Sequence, residues 1–566
     1  MTSRRPLFGS LLAMAALIFG AVIVGFTPAS AAGHGSSVRD TIIPPTITDF
    51  NGDGYADLAV AGLNDPAGAV AAAGGVNVIY GSASGLQATA PDDQYWTANS
   101  PGMPQSAQAG AQFGFALGVG DFNADGYSDL AMGAPRQDVG PGLTDAGALY
   151  VLYGSAAGLQ TSAPAAQYFT ADSPGMPSPS VANALFGRSL SAGDYNGDGK
   201  DDLAIGAPRE DVVVGPTTFM EAGVAYALYG TSAGLQTANP AAQFWTQDSP
   251  GVPDEVESSD WFARSLASGD FNGDGYVDLV VGVPLEDEEG GTKQRKDSGA
   301  VNVLYGSAAG LQAISPAAQF WDQDSPHVKD NDEAGDYFGH NLAAGDFNGD
   351  GYADLALGVR LEDLDERPIV KEAGAVNVLY GSAGGLQTDN PENQFWSQDA
   401  HHVLDTAENG EEFGFSVAAG DFNGDGYADL AIGVAFESIN DQVQGAGGVN
   451  VLYGSSAGLQ TDLPENQFWT QDSPRVADGA EVLDNFGFSL VANDYNFDGR
   501  IDLAIGVVKE DLEEATTITD AGAVNVLYGG PSGLQTDAPM NQFWSQDSPG
   551  MPGDAADLNE FGWWLA

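Results

Sequence analysis

The stretch Asp421-Phe422-Asn423-Gly424-Asp425-Gly426-Tyr427-Ala428-Asp429-Leu430 decides how this chain is read, because it returns almost unchanged from Asp49, Asp121, Asp194, Asp270, Asp346 and Asp494. Every copy places Asp at position 1, Asn at 3, Asp at 5, Gly at 6 and Asp at 9. Oxygen-bearing side chains thus alternate around a sharp turn. Calcium takes roughly 6 to 8 hard oxygen ligands at about 2.3–2.6 Å, and a tight loop with this alternation converges them on one point. Position 7 is Tyr in five copies, Lys in the third and Arg in the seventh, so its contribution is read as the backbone carbonyl. The glycine at 6 permits positive φ.

The calcium ligands expected on this reading are Asp49, Asn51, Asp53, Tyr55 and Asp57 in the first copy, and Asp121, Asn123, Asp125, Tyr127 and Asp129 in the second. In the third and fourth they are Asp194, Asn196, Asp198, Lys200 and Asp202, then Asp270, Asn272, Asp274, Tyr276 and Asp278. Asp346, Asn348, Asp350, Tyr352 and Asp354 follow, then Asp421, Asn423, Asp425, Tyr427 and Asp429, and finally Asp494, Asn496, Asp498, Arg500 and Asp502. An EF-hand loop needs Glu at position 12. Here that position is apolar throughout: Val60, Met132, Ile205, Val281, Leu357, Ile432 and Ile505. A strand, not a helix, is expected after each loop, and up to seven calcium ions per chain.

First aspartates recur every 72 to 76 residues, a period that speaks for a repeat architecture. Each unit carries four short strand signals, as in Phe413-Gly414-Phe415-Ser416-Val417, Asp429-Leu430-Ala431-Ile432-Gly433, the run ending at Gly454, and Gln467-Phe468-Trp469. Four strands in each of seven units predict an all-β, seven-bladed β-propeller over 46–566. The first unit has Thr41 where the others have the strand-opening Phe, and the missing strand signal stands at the far end as Phe561-Gly562-Trp563-Trp564-Leu565-Ala566. Lent to the first blade, that C-terminal strand would complete it and leave no edge unpaired.

Spacing is constant everywhere except between the position-9 Asp and the third-strand Tyr, where it runs from 23 to 27 residues. Length variation therefore sits in the loop between strands two and three, on the face opposite the calcium loops. Recognition favours variable loops on a rigid scaffold, so the ligand is expected there. Eleven basic residues lie in the loops of that face: Arg136, Arg209, Lys293, Arg295, Lys296, Lys329, Arg360, Arg367, Lys371, Arg475 and Lys509.

The 566 residues include 78 acidic and 18 basic side chains and no Cys, for a formal charge of −60. Seven calcium ions would still leave about −46, so nucleic acid and anionic membrane surfaces are excluded as partners by repulsion. Residues 1–32 read as an export signal: Arg4 and Arg5, an apolar run from Leu7 to Phe26, then Ala29-Ser30-Ala31. The paired arginines are compatible with the twin-arginine route. A short lead-in, 33–45, follows. The protein is expected outside the cell or on its surface, as a monomer, with bound metal doing the stabilising that disulfides cannot.

The phenylalanine–glycine strand, the DxNxDGxxD loop and endings such as Gly133-Ala134-Pro135 and Gly206-Ala207-Pro208 resemble the FG-GAP repeats of the integrin α-subunit propeller and its bacterial relatives. The resemblance implies a seven-bladed propeller with calcium between strands one and two and ligands on the opposite face. In integrins only some blades typically carry metal loops, whereas all seven match here. Uniform spacing leaves no room for an inserted ligand-binding domain and no leg domains follow, so a β-subunit partner is not implied.

Aromatic pairs such as Phe244-Trp245 repeat in every unit and are read as packing between blades. Glu-Asp pairs at Glu210, Glu286, Glu362 and Glu510 recur too, and a catalytic carboxylate pair would occur once, so they are read as structural. Lys293-Gln294-Arg295-Lys296 and His401-His402 break the repeat without forming a catalytic constellation. The reading is an exported, calcium-stabilised adhesion or protein-binding module rather than an enzyme. A lectin-like carbohydrate-binding propeller is the alternative, and a polysaccharide- or phosphodiester-cleaving enzyme a more distant one.

Overall fold

A computed structural model describes residues 47–566 except 90, 288–294, 332, 365–367, 440–442 and 513–516. The expected export signal and lead-in, Lys293 and Arg367 lie outside the described residues.

The polypeptide forms seven four-stranded antiparallel sheets, one per sequence unit. Blade five is representative: Phe338–Gly345, Asp354–Val359, Ala375–Leu379 and Gln394–Trp396 pair in sequence order. The second and third strands of the blades are buried from end to end, which is why they read as continuous apolar runs rather than alternating ones. The half-buried aromatic pairs of the fourth strands pack on the clusters between sheets, Phe395 on one and Trp396 on the next.

Blade one is assembled from both ends of the described chain. Phe561–Leu565 pairs with Leu58–Gly62, which continues through Gly75–Ile79 to Gln94–Trp96. The expected closure is thus present. One element was not foreseen: the variable loop of blade three folds into a hairpin, Val212–Val214 with Thr217–Phe219.

The register separates the two faces. Gly345 stands opposite Asp354 across the calcium-type loop, while Phe338 pairs with Val359, where the variable loop begins. The start of each first strand therefore lies on the variable-loop face.

Candidate functional site: loop metal centres and an axial cavity

All seven DxNxDGxxD loops take one conformation. The position-1 carboxylate folds back on its own loop: Asp421 Oδ1 accepts N–H bonds from Gly424 (2.7 Å) and Asp425 (3.0 Å), and Oδ2 accepts from Gly426 (2.8 Å). Asp425 Oδ1 accepts from Tyr427 N at 3.1 Å. The position-9 aspartate has a second task. Asp429 is fully buried, and its oxygens accept N–H bonds from Phe422 in the loop and from Gly454 at the end of strand three, both at 2.9 Å. It ties the loop to its blade.

The loops are also joined to one another. The position-8 N–H of each blade donates to the position-1 carbonyl of the preceding one, from Ser128 to Asp49 through Ile501 to Asp421, and Ala56 to Asp494 closes the circle. Position 7 does more than present a carbonyl, as the sequence suggested. A β-carbon on Gly52 would sit 2.5 Å from the Tyr127 ring, and the same holds for Gly197 under Tyr276. The position-7 side chain thus covers position 4 of the preceding loop, whose φ is +72° at Gly52.

The donor set suits a hard divalent cation. Burial, the largest cause, together with the charges at positions 1 and 5, raises the position-9 carboxyls of Asp129, Asp202, Asp278, Asp429 and Asp502 to about 8 against two backbone hydrogen bonds. The position-3 amides are buried with atoms left unpaired, among them Nδ2 of Asn51 and Asn423 and Oδ1 of Asn348 and Asn496. A cation would supply charge to the carboxylates and a partner to the unpaired amide oxygens of Asn348 and Asn496.

Among the described residues, the trio of carboxylates whose oxygens all lie within 4.8 Å of one another is not in a loop. It is Glu333, Asp336 and Glu362, on the opposite side of the blade. Glu362 belongs to one of the repeated Glu-Asp pairs. Its Oε2 accepts from Gln323 Nε2 of the preceding blade at 2.7 Å, and Gln398 to Glu437 and Gln471 to Glu510 repeat that bond. The following aspartate accepts a loop N–H, as Asp363 does from Glu372. The pairs are structural, as read. His402 and Arg295, from the two repeat-breaking motifs, face Asp462 and Asp324.

The site that sequence reasoning missed is at the axis, on the variable-loop face. The third residue of each phenylalanine–glycine segment contributes to a ring: Phe115, Arg188, Arg264, His340, Phe415, Phe488 and Trp563 line one cavity of ≈ 250 Å³. Neighbours touch all the way along its aromatic arc, with centroids 4.8 Å apart for Phe415 and Phe488, 4.8 Å for Phe488 and Trp563, and 6.2 Å for Trp563 and Phe115. The Arg188 guanidinium lies 4.0 Å over Phe115, and Arg264 Nη2 is 3.5 Å from His340 Nε2. Below the ring, Ser189, Ser265, Ser416 and Ser489 each donate to a carbonyl of the next blade at 2.6–2.7 Å.

Neither Arg188 nor Arg264 joins a salt bridge with a described carboxylate. Arg360, beside them, is paired with Glu412. Burial pulls Arg188 well below the ordinary arginine range and Arg264 down to about 10, and the other guanidinia add to both shifts. Burial and the same arginines hold His340 well below its usual value, hence neutral. Arginine keeps its proton in proteins, so both guanidinia stay charged.

The pattern of the FG-GAP repeat matches residues 113–152, 186–227, 262–304, 338–379 and 413–452, the inner three strands of blades two to six. The chain is an FG-GAP repeat propeller. Integrin alpha-PS2 of Drosophila melanogaster is 29% identical over 265 residues, 46% of this chain and 16% of that protein. Phosphatidylinositol-glycan-specific phospholipase D of Mus musculus is 37% identical over 164 residues, 29% of this chain and 18% of the relative. The chain thus spans less than a fifth of the length of either relative. A rhamnogalacturonan lyase of Bacillus licheniformis aligns over 79% of the chain and 83% of its own at 11% identity and a TM-score of 0.31, a level that bears on neither fold nor activity. No helix among the described residues is long and apolar enough to cross a membrane.

Proposed function

We propose that this FG-GAP propeller is an exported binding or adhesion module in which calcium in the seven loops holds one face rigid and the opposite face receives an extracellular protein or glycan. The observation that carries this reading is the contrast between the faces. One is a closed circle of seven like loops bonded to one another, and the other surrounds a cavity whose two arginines face no carboxylate among the described residues. The axial cavity favours the lectin-like version over a flat protein interface, since concave sites with a few converging polar groups suit small ligands.

The absence of cysteine allows a direct test. A single cysteine on the calcium face, Ser84→Cys, and one on the variable-loop face, Ala480→Cys, orient the protein on a chip carrying one face outward. Capture from a panel of glycans and matrix proteins is expected only when the variable-loop face is free. Capture that follows the calcium face instead overturns the assignment.

A further inference from the structure

The geometry points to the axial cavity as a binding site for a single carboxylated sugar unit, of the hexuronate class, with Arg188 and Arg264 gripping the carboxylate and the Phe415, Phe488 and Trp563 arc receiving the sugar's apolar face. The inference rests on the reading that the variable-loop face is the recognition face, and it names the ligand chemistry of that face.

Three observations converge on it. The first is charge. A chain of formal charge −60 holds two guanidinia side by side at its axis, from adjacent blades, with no described carboxylate to neutralise them. Leaving charges recessed and unpaired costs free energy, and the neighbouring arginine shows the chain's usual remedy, since Arg360 has Glu412. Guanidinium forks match carboxylates in a planar, two-bonded geometry.

The second is shape. The cavity is ≈ 250 Å³, room for one sugar residue rather than a segment of folded protein. Two guanidinia and a histidine line one side of its rim and four aromatic rings the other, so a ligand that fills it must carry an anionic edge and an apolar face together. An acidic sugar has both, whereas inorganic phosphate has only the first. The small hydroxyl ring beneath is already spent on stitching blades, so orientation is left to the rim.

The third is exclusion. The surrounding acid excess repels a polyanion over its whole length, but a lone carboxylate at the end of a neutral glycan meets the positive axis alone. The selected ligand is therefore a terminal acidic unit, not a polyuronate chain.

The test uses the full chain loaded with calcium, and glucuronate, galacturonate, their methyl esters, neutral hexoses, acetate and inorganic phosphate as probes in calorimetric titration. A hexuronate is expected to bind at least tenfold more tightly than its methyl ester and than acetate. Arg188→Gln and Arg264→Gln should each weaken it at least tenfold, and Trp563→Leu should weaken it while leaving acetate unchanged. Because the buried charge is removed, the arginine variants should melt no lower than the parent without ligand, which separates lost binding from lost folding.

Equal binding of phosphate or acetate overturns the sugar assignment, as does preference for an acidic peptide. Hexuronate affinity unchanged in Arg188→Gln, or no hexuronate binding at millimolar concentration, overturns the site. If oriented capture still follows the variable-loop face while these titrations fail, recognition is on that face but outside the axis. If capture follows the calcium face, the functional reading itself has failed.

Discussion

The two faces of this propeller are built from the same repeat yet have opposite characters. On the loop face one backbone bond recurs in all seven blades, and the bonds run in a circle through Asp49, Asp121, Asp194, Asp270, Asp346, Asp421 and Asp494. On the other face the equivalent ring position holds four aromatic residues, two arginines and one histidine. Repetition serves a mechanical task, which every blade shares equally. Departure from repetition is where the proposed recognition is placed.

The largest expected effect breaks the circle. Deleting Phe561–Ala566 removes the inner strand of blade one, which holds the buried Phe561 and Leu565. It also exposes the edge of Leu58–Gly62. The truncated protein should lose its single cooperative melt and aggregate. A truncation that melts like the parent would falsify closure as a source of stability.

Calcium comes next. A ligand in hundredfold excess over its Kd stabilises by about 2.7 kcal/mol per site, or roughly 19 kcal/mol for seven. For a domain of this size that corresponds to a fall in Tm on the order of 15 °C on chelation. Titration should count seven ions. A much smaller count with no shift in melting would mean that the loop face is held by its hydrogen bonds alone.

The smallest effect sharpens the comparison from the acidic side of the blades. Burial first, and then neighbouring carboxylates, raises Glu286 and Glu362 to about 10 and Glu437 and Glu510 to about 9. The chief carboxylate neighbours are Asp254 and Asp260, Asp336 and Asp330, Glu411 and Asp405, and Asp484 and Asp478 respectively. A carboxyl whose folded pKa is raised holds its proton more tightly when folded, so its ionisation costs stability as pH rises from the unfolded value of about 4.5 toward 9. In saturating calcium the parent should therefore lose a few °C of Tm between pH 6 and pH 9. The fourfold variant Glu286→Gln, Glu362→Gln, Glu437→Gln, Glu510→Gln should show a flatter profile and a higher Tm at pH 9. Parallel profiles would show that these carboxylates reach water more freely than their burial indicates.

Much of this was legible without coordinates. Aspartates alternating around a glycine turn, seven times, followed by an apolar twelfth position, specify a tight loop leading into a strand. Constant spacing marks the blades, and Phe561 at the end of the chain marks the closure. These signals are local, because a loop's ligands and a strand's pleat are set by residues a few positions apart. Tyr127 was read as a backbone ligand only, since nothing near it in sequence reveals that its ring lies on Gly52 of another blade.

The axial cavity depended on tertiary structure for the same reason. Arg188 and Arg264 each sit in an ordinary strand opening, 76 residues apart in a chain with richer basic clusters elsewhere. Of the basic residues that drew attention in sequence, Arg295 is paired with Asp324, Lys296 with Asp287 and Arg360 with Glu412. Whether a charge is compensated is a property of three-dimensional neighbours, not of sequence neighbours. Sequence determined the repeat, the loops and the ring closure through short-range geometry, and only the closing of seven blades around one axis decided which cations face no carboxylate among the described residues.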